Sequence, residues 1–206
     1  MGHHLYTHID PPNQRHLDRV CEVLREGGVI ALPAGTNWMF CCDAASKKGV
    51  AKIRLLKPMH PKEKPFSLIC SSISMASKMA QIGNQSFRVL SRICPGHFTI
   101  LFRSSKLVPK LLDNKRATVG IRIPNEPLTL AVVEHYGKPL IATSVPPDSD
   151  GRLITMGFVI QEFYGHGLDV VLDLGDELIG QETTILDFSS GEAEVIREGA
   201  GDLSLL

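Results

Sequence analysis

Two periodicities alternate along this chain, and the punctuation between them limits the folds open to it. In "RHLDRVCEVLRE", Leu17, Val20, Cys21 and Leu24 fall on one helical face. Gly27-Gly28 follows and is expected to end that helix, because glycine tolerates a left-handed exit. "VIALP" then reads as a buried strand, followed by a basic helix around residues 46 to 57 and the strand "FSLIC" at 66 to 70. Asn84 is placed to cap a helix carrying Phe87, Leu90 and Ile93, which Pro95 cannot continue. "FTILFR" and "TVGIRI" are β-branched runs. Asn125 with Pro127 just inside predicts another helix, to about His135. "KPLIATS", "VVLDL", "TTILDF" and "AEVIRE" read as later strands. About eight strands interleaved with helices predict one mixed α/β (α+β) domain.

No apolar stretch approaches the ~20 residues needed to cross a bilayer. The N-terminal "MGHHLYTHIDPPNQRH" has no apolar signal core, so a cytoplasmic protein with no membrane partner is expected. Cysteines 21, 41, 42, 70 and 94 are expected to be reduced and mostly buried. No second Cys/His pair has zinc spacing to Cys41-Cys42, so no metal site is assigned.

Net charge is zero, but it is unevenly spread. Residues 44 to 122 hold sixteen Lys/Arg and two acids, Glu63 and Asp113, whereas residues 123 to 206 hold fifteen acids and three bases. The split reads either as two differently charged solvated faces or as an anion-binding surface for a nucleotide or an RNA.

Polar groups gather where strands run into loops, the places at which α/β sheets usually bind ligands. "LPAGTNW" puts Thr36 just past a strand, and "RLLKPMHPKEKPFSL" gathers Arg54, Lys57, His60, Lys62 and Lys64. Arg122 alternates with Ile121 and Ile123, so it points to the opposite sheet face. There it is either solvated or set in a cleft, holding a carboxylate or phosphate bidentately. "ATSVPP" ends a strand with Thr143-Ser144, and "EVIREGAG" puts Arg197 at a strand end. His97 follows the Pro95-Gly96 corner as a turn residue or a base, and no catalytic residue is assigned. P-loop, Rossmann and G-x-S-x-G signatures are all absent.

Seven phrases, in this order, resemble the threonylcarbamoyl-AMP synthases, the YrdC-like family. "GGVIALPAGTNWMFCCDA" resembles G-G-x-I-x-x-P-T-(D/E)-T-x-Y-G-L-x-C-D, and "KPMHPKEKPFSLIC" resembles K-x-R-P…P-L-x-L. "PGHFTILF" is similar to P-G-x-x-T-x-I-L, and "TVGIRIP" to V-G-(I/V)-R-x-P. "KPLIATSVPP" is similar to P-(L/I)-x-(S/A)-T-S-A-N, "ETTILDF" to S-T-(I/V)-(I/V)-D, and "IREGAGD" to (I/V)-R-x-G-x-G. The length and the N-terminal "LYTHIDPPNQRH" resemble the YciO branch most closely.

The resemblance implies a twisted mixed β-sheet flanked by helices, with a positively charged cavity. It implies a single YrdC-like domain over residues 15–202, with residues 1–14 as an N-terminal extension packed on it. It implies ATP, L-threonine and bicarbonate as substrates, Mg²⁺ alongside ATP, and tRNA threonylcarbamoyladenosine modification as the destination. Family members also bind double-stranded RNA or tRNA. Carried over position by position, Thr36, Arg122 and Thr183 fall at the threonine. Lys57, Thr118, Ser144 and Arg197 fall at the ATP. Arg54, His60, Lys62, Lys64 and Thr143 are candidate anion or RNA contacts.

The chain departs from the pattern at four places. Ala34 and Gly35 replace the first threonine and the acid, Trp38-Met39 replaces Tyr-Gly, His60 stands nearest the second basic residue, and Pro146 replaces the asparagine. A weakened synthase is therefore expected. The alternatives are a non-catalytic RNA- or nucleotide-binding relative, and a synthase-like fold acting on another small carboxylate.

Overall fold

The structure, a computed structural model, describes residues 2–59, 61, 66–108 and 118–206. Ten strands, β1 (His3–Tyr6), β2 (Ile30–Pro33), β3 (Trp38–Asp43), β4 (Ser67–Ile69), β5 (Phe98–Arg103), β6 (Thr118–Arg122), β7 (Leu140–Ser144), β8 (Val170–Asp173), β9 (Thr184–Asp187) and β10 (Glu194–Arg197), form one mixed sheet. Its order is β1-β8-β2-β3-β7-β4-β6-β5-β9-β10. Among the described residues six α-helices flank it: α1 (Gln14–Arg25), α2 (Lys47–Leu56), α3 (Ile73–Met79), α4 (Asn84–Ile93), α5 (Pro127–Tyr136) and α6 (Gly157–Tyr164).

The capping chemistry explains the helix starts. The side chain of Asn13 accepts from His16 N and opens α1, and that of Ser46 accepts from Gly49 N and opens α2. Two cap positions differ from the sequence expectation by one residue. Glu126, not Asn125, caps α5 by accepting from Leu128 N, and Gly83 precedes α4 with Asn84 as its first helical residue. Gly137 ends α5 at φ 75°, a left-handed exit that suits glycine. Phe87, expected on the buried face of α4, is 52% exposed; Ser86, Leu90 and Ile93 face inward instead.

Strand alternation sorts the interior into two layers. Trp38, Phe40, Leu68, Ile100, Phe102, Val119, Ile121 and Val171 point to one face, where Val50 and Ile53 of α2, Ala76 of α3, Leu90 and Ile93 of α4, and Ile160 of α6 cover them. Leu32, Met39, Cys41, Ala142, Val170 and Leu172 point to the other face, under Leu17, Val20 and Leu24 of α1 and Leu128, Val132 and Val133 of α5. The two helices of the second face lie over the β8-β2-β3-β7 half of the sheet. Over β4, β6, β5 and β9 the alternating positions are Ser67, Thr118, Gly120, Arg122, Thr99, Leu101 and Ile185, and they line a cavity rather than a helix contact.

Candidate ligand-binding cavity

The uncovered half of the sheet floors a cavity of about 740 Å³. Around it stand Lys57, Thr118, Arg122, Thr143, Ser144, Thr183 and Arg197, delivered by the end of α2, the central strands β6 and β7, the residue before β9 and the end of β10. They are separated by up to 140 positions in the chain, and the sheet order brings them together. Among the described lining residues the charged groups are Lys57, Arg122, Arg197 and one carboxylate, Glu182, so the hollow is net positive.

Arg122 dominates its electrostatics. Its side chain is buried at 4% exposure, at the end of β6 where it pairs in register with Ile69. Nη1 donates to the thioether Sδ of Met39 at 2.9 Å, while Nε and Nη2 have no partner among the described residues. Burial holds the guanidinium pKa down at about 10, opposed by Cys41 and reinforced by Arg197. A buried cation with two unsatisfied donors on one edge is built to accept an anion through parallel hydrogen bonds.

Lys57 caps the C-terminus of α2 and reaches across to β7, where Nζ donates to Thr143 Oγ1 at 3.1 Å and to the Ser144 carbonyl at 2.7 Å. Arg197 is tied to its own wall: Nη1 meets Glu182 Oε2 at 2.6 Å, and Nε and Nη2 donate to the Thr183 carbonyl. Thr99 and Thr183 share a buried hydroxyl–hydroxyl bond of 2.9 Å.

Two sequence-derived candidates, Thr36 and Arg54, stand apart from this group. Thr36 is fully buried but is not among the lining residues. Its carbonyl accepts from Gly180 and Gln181, and its hydroxyl has no partner among the described residues. The physical reason is that the β2–β3 turn is sealed beneath the segment 180–181. Arg54 is exposed on α2 with its guanidinium over the Phe66 ring, 5.3 Å from the centroid. Trp38, which stands at the Tyr position of the family pattern, is 1% exposed on the opposite face, and its Nε1 donates to the Thr155 carbonyl. His60, Lys62 and Lys64 lie outside the described residues. Met39, which stands at the glycine of the family pattern, lines the cavity. Glu182 was not among the candidates and could have been found as the neighbour of Thr183.

One face of the α/β sheet is thus half covered by helices and carries a net positive hollow on its bare half. The chain belongs to the Sua5/YciO/YrdC family, whose model, described as "Telomere recombination", matches residues 22–199. It is 30% identical over 205 residues to the uncharacterized protein YciO of Escherichia coli K12, covering 98% of both chains. The crystal structure of E. coli YciO superposes with a TM-score of 0.91 at 29% identity, covering 100% of this chain and 99% of that one. A threonylcarbamoyl-AMP synthase of Pyrococcus abyssi is 25% identical over 177 residues, which are 85% of this chain and 52% of that enzyme. P. abyssi Sua5 complexed with L-threonine shares the fold, with a TM-score of 0.84 at 22% identity, over 97% of this chain and 57% of that one.

Proposed function

We propose that this chain is a weakened L-threonylcarbamoyladenylate synthase that uses ATP, L-threonine and bicarbonate and serves tRNA threonylcarbamoyladenosine modification. The observation that carries the reading is Arg122, a buried guanidinium that lines the cavity and whose Nε and Nη2 have no partner among the described residues. The threonylcarbamoyl-AMP synthases among its relatives, and the Sua5 structure complexed with L-threonine, support a small amino acid as the anion.

In this reading the threonine amino group and bicarbonate condense to a carbamate with loss of water. A carbamate oxygen then attacks the α-phosphorus of ATP, the bond to the β-phosphate oxygen breaks, and pyrophosphate leaves. Such chemistry needs positioning and charge neutralisation more than a covalent nucleophile. Arg122 holds the threonine carboxylate near Thr183, and Lys57, Thr118 and Ser144 border the ATP. Arg197 joins them only if Glu182 yields its 2.6 Å contact. Thr36 acts from behind the wall, through the turn it anchors.

Among the described residues no group of three His/Cys/Asp/Glu could hold a metal, and Glu182 is already paired with Arg197. Magnesium, which would supply charge neutralisation at the triphosphate, would be held there chiefly by the nucleotide. Pro146 offers neither donor nor ligand on the cavity rim, a loss worth roughly tenfold to a hundredfold in affinity. That is why the activity is weakened.

Contact with tRNA or double-stranded RNA rests on the basic segment 44–122, of which Arg54 is exposed in the described residues. Salt-dependent retention of structured RNA tests it. The synthase reading is tested by pyrophosphate release at micromolar protein. Release that requires ATP, threonine and bicarbonate together supports it. No release with all three present, from folded protein, overturns it.

A further inference from the structure

We propose that Glu182 is a movable counter-ion: its carboxylate occupies Arg197 while the cavity is empty and yields that guanidinium to a phosphate of the nucleotide. This rests on the reading above that the cavity takes ATP, and it names what limits the affinity of that site for the phosphate chain.

Both partners line the cavity, and only one of them can move. Arg197 is held by its own wall: Nε and Nη2 donate to the Thr183 carbonyl at 3.2 and 2.8 Å. Thr183 is itself buried, and its hydroxyl bonds to that of Thr99 on β5. The backbone of Glu182 is fixed as well. Its carbonyl accepts from Ala200 N at 2.8 Å, and a Cβ on Gly199 would lie 2.3 Å from that oxygen. What remains free is the Glu182 side chain, 58% exposed, whose Oε2 meets Arg197 Nη1 at 2.6 Å.

The charges around the hollow decide what this contact does. Among the described lining residues Lys57, Arg122 and Arg197 are opposed by Glu182 alone. The pKa of Arg122 is lowered by burial, against Cys41, and further by Arg197, so the two guanidinium charges repel one another. Glu182 offsets that repulsion in the empty cavity, and in doing so takes one cation away from an arriving anion. An ion pair this open to water is worth only up to about fivefold in an equilibrium constant. A triphosphate brings several charges and displaces it, and the side chain swings into solvent that it already touches. ATP binding is weaker by the factor needed to break the pair, and weaker again by the repulsion of a carboxylate near its phosphates. Together these are worth about three- to tenfold.

The test is calorimetric titration of ATP into the full chain, wild type and Glu182→Gln, at low and at high salt. The amide keeps the size of the carboxylate and still accepts from Arg197, so the substitution changes little but the charge. Glu182→Gln is expected to bind ATP about three- to tenfold more tightly than wild type at low salt. The gain should shrink at high salt as the charges are screened. ATP binding measurable in the variant alone is the same result at its limit. A variant that binds ATP no more tightly than wild type overturns the inference and leaves the ATP reading standing. Weaker binding does the same, since it makes Glu182 a strut that aims Arg197. A gain that salt leaves unchanged also overturns it, because such a gain comes from space and not from charge. Failure of both proteins to bind ATP removes the ATP reading, and the inference with it.

Discussion

A guanidinium at 4% exposure with no carboxylate beside it among the described residues costs the unliganded protein stability. Burial holds its folded-state pKa at about 10, below the ordinary arginine value, so the charged form is disfavoured on folding. Replacing it with an apolar side chain of similar length should therefore stabilise the ligand-free chain while removing the anion site. Arg122→Met is expected to gain about 1 to 3 kcal/mol, which raises the thermal midpoint by several degrees. It should also lose carboxylate binding; a variant that melts below wild type would contradict this view of Arg122. Nearby His97 has a buried Nδ1 with no partner among the described residues, and its pKa is lowered, first by burial and then by Arg122. Just below the ordinary histidine value the unfolded chain holds a proton that the native one does not. Stability must then fall as pH drops through that window. Thermal midpoints taken from about pH 7 to about pH 5.5 should fall less in His97→Gln than in wild type. Equal slopes would show that His97 takes no part.

At the level of elements, the entry of α6 is tightly packed. A side chain on Gly157 would place its Cβ 2.1 Å from Asp173 Oδ2 and 2.8 Å from the Trp38 ring. Neither neighbour can retreat: Asp173 is buried and accepts from His4 and Gly175, and Trp38 is fixed by its bond to Thr155. Gly157→Ala is expected to destabilise by about 1 to 3 kcal/mol, read as a lower denaturant midpoint at unchanged slope. The eight strands read from the sequence were those with β-branched runs, such as "FTILFR" and "TVGIRI". The two that escaped, β1 and β3, lack that signal. "HHLY" is short and polar, and "WMFCCD" is buried on both faces, so it does not alternate in hydropathy. The short helices α3 and α6 were missed because they span too few residues to show a period.

For the molecule as a whole, the uneven covering of the sheet is what makes a site. Helices α1 and α5 bury one half of a face, and the other half carries threonines, a glycine and Arg122 instead of a third helix. Lys57, Arg122, Ser144 and Arg197 are legible as polar residues around strand ends, whereas the roles of Thr118 and Thr183 come from the family resemblance. Their convergence on one cavity also comes from that resemblance, because strand order cannot be read from local pattern. Thr36 shows the limit: the motif was visible, but the turn that carries it is sealed under residues 180–181. That no helix among the described residues is long and apolar enough to cross a membrane agrees with the hydropathy reading.

The decisive measurement is a calorimetric titration of ATP into wild type and Arg122→Met, each with and without L-threonine. Threonine should tighten ATP binding to wild type, and the Arg122→Met protein should still bind ATP but lose that coupling. ATP binding that is indifferent to threonine in wild type, or coupling that survives the loss of Arg122, would contradict a shared cavity in which Arg122 holds the acid.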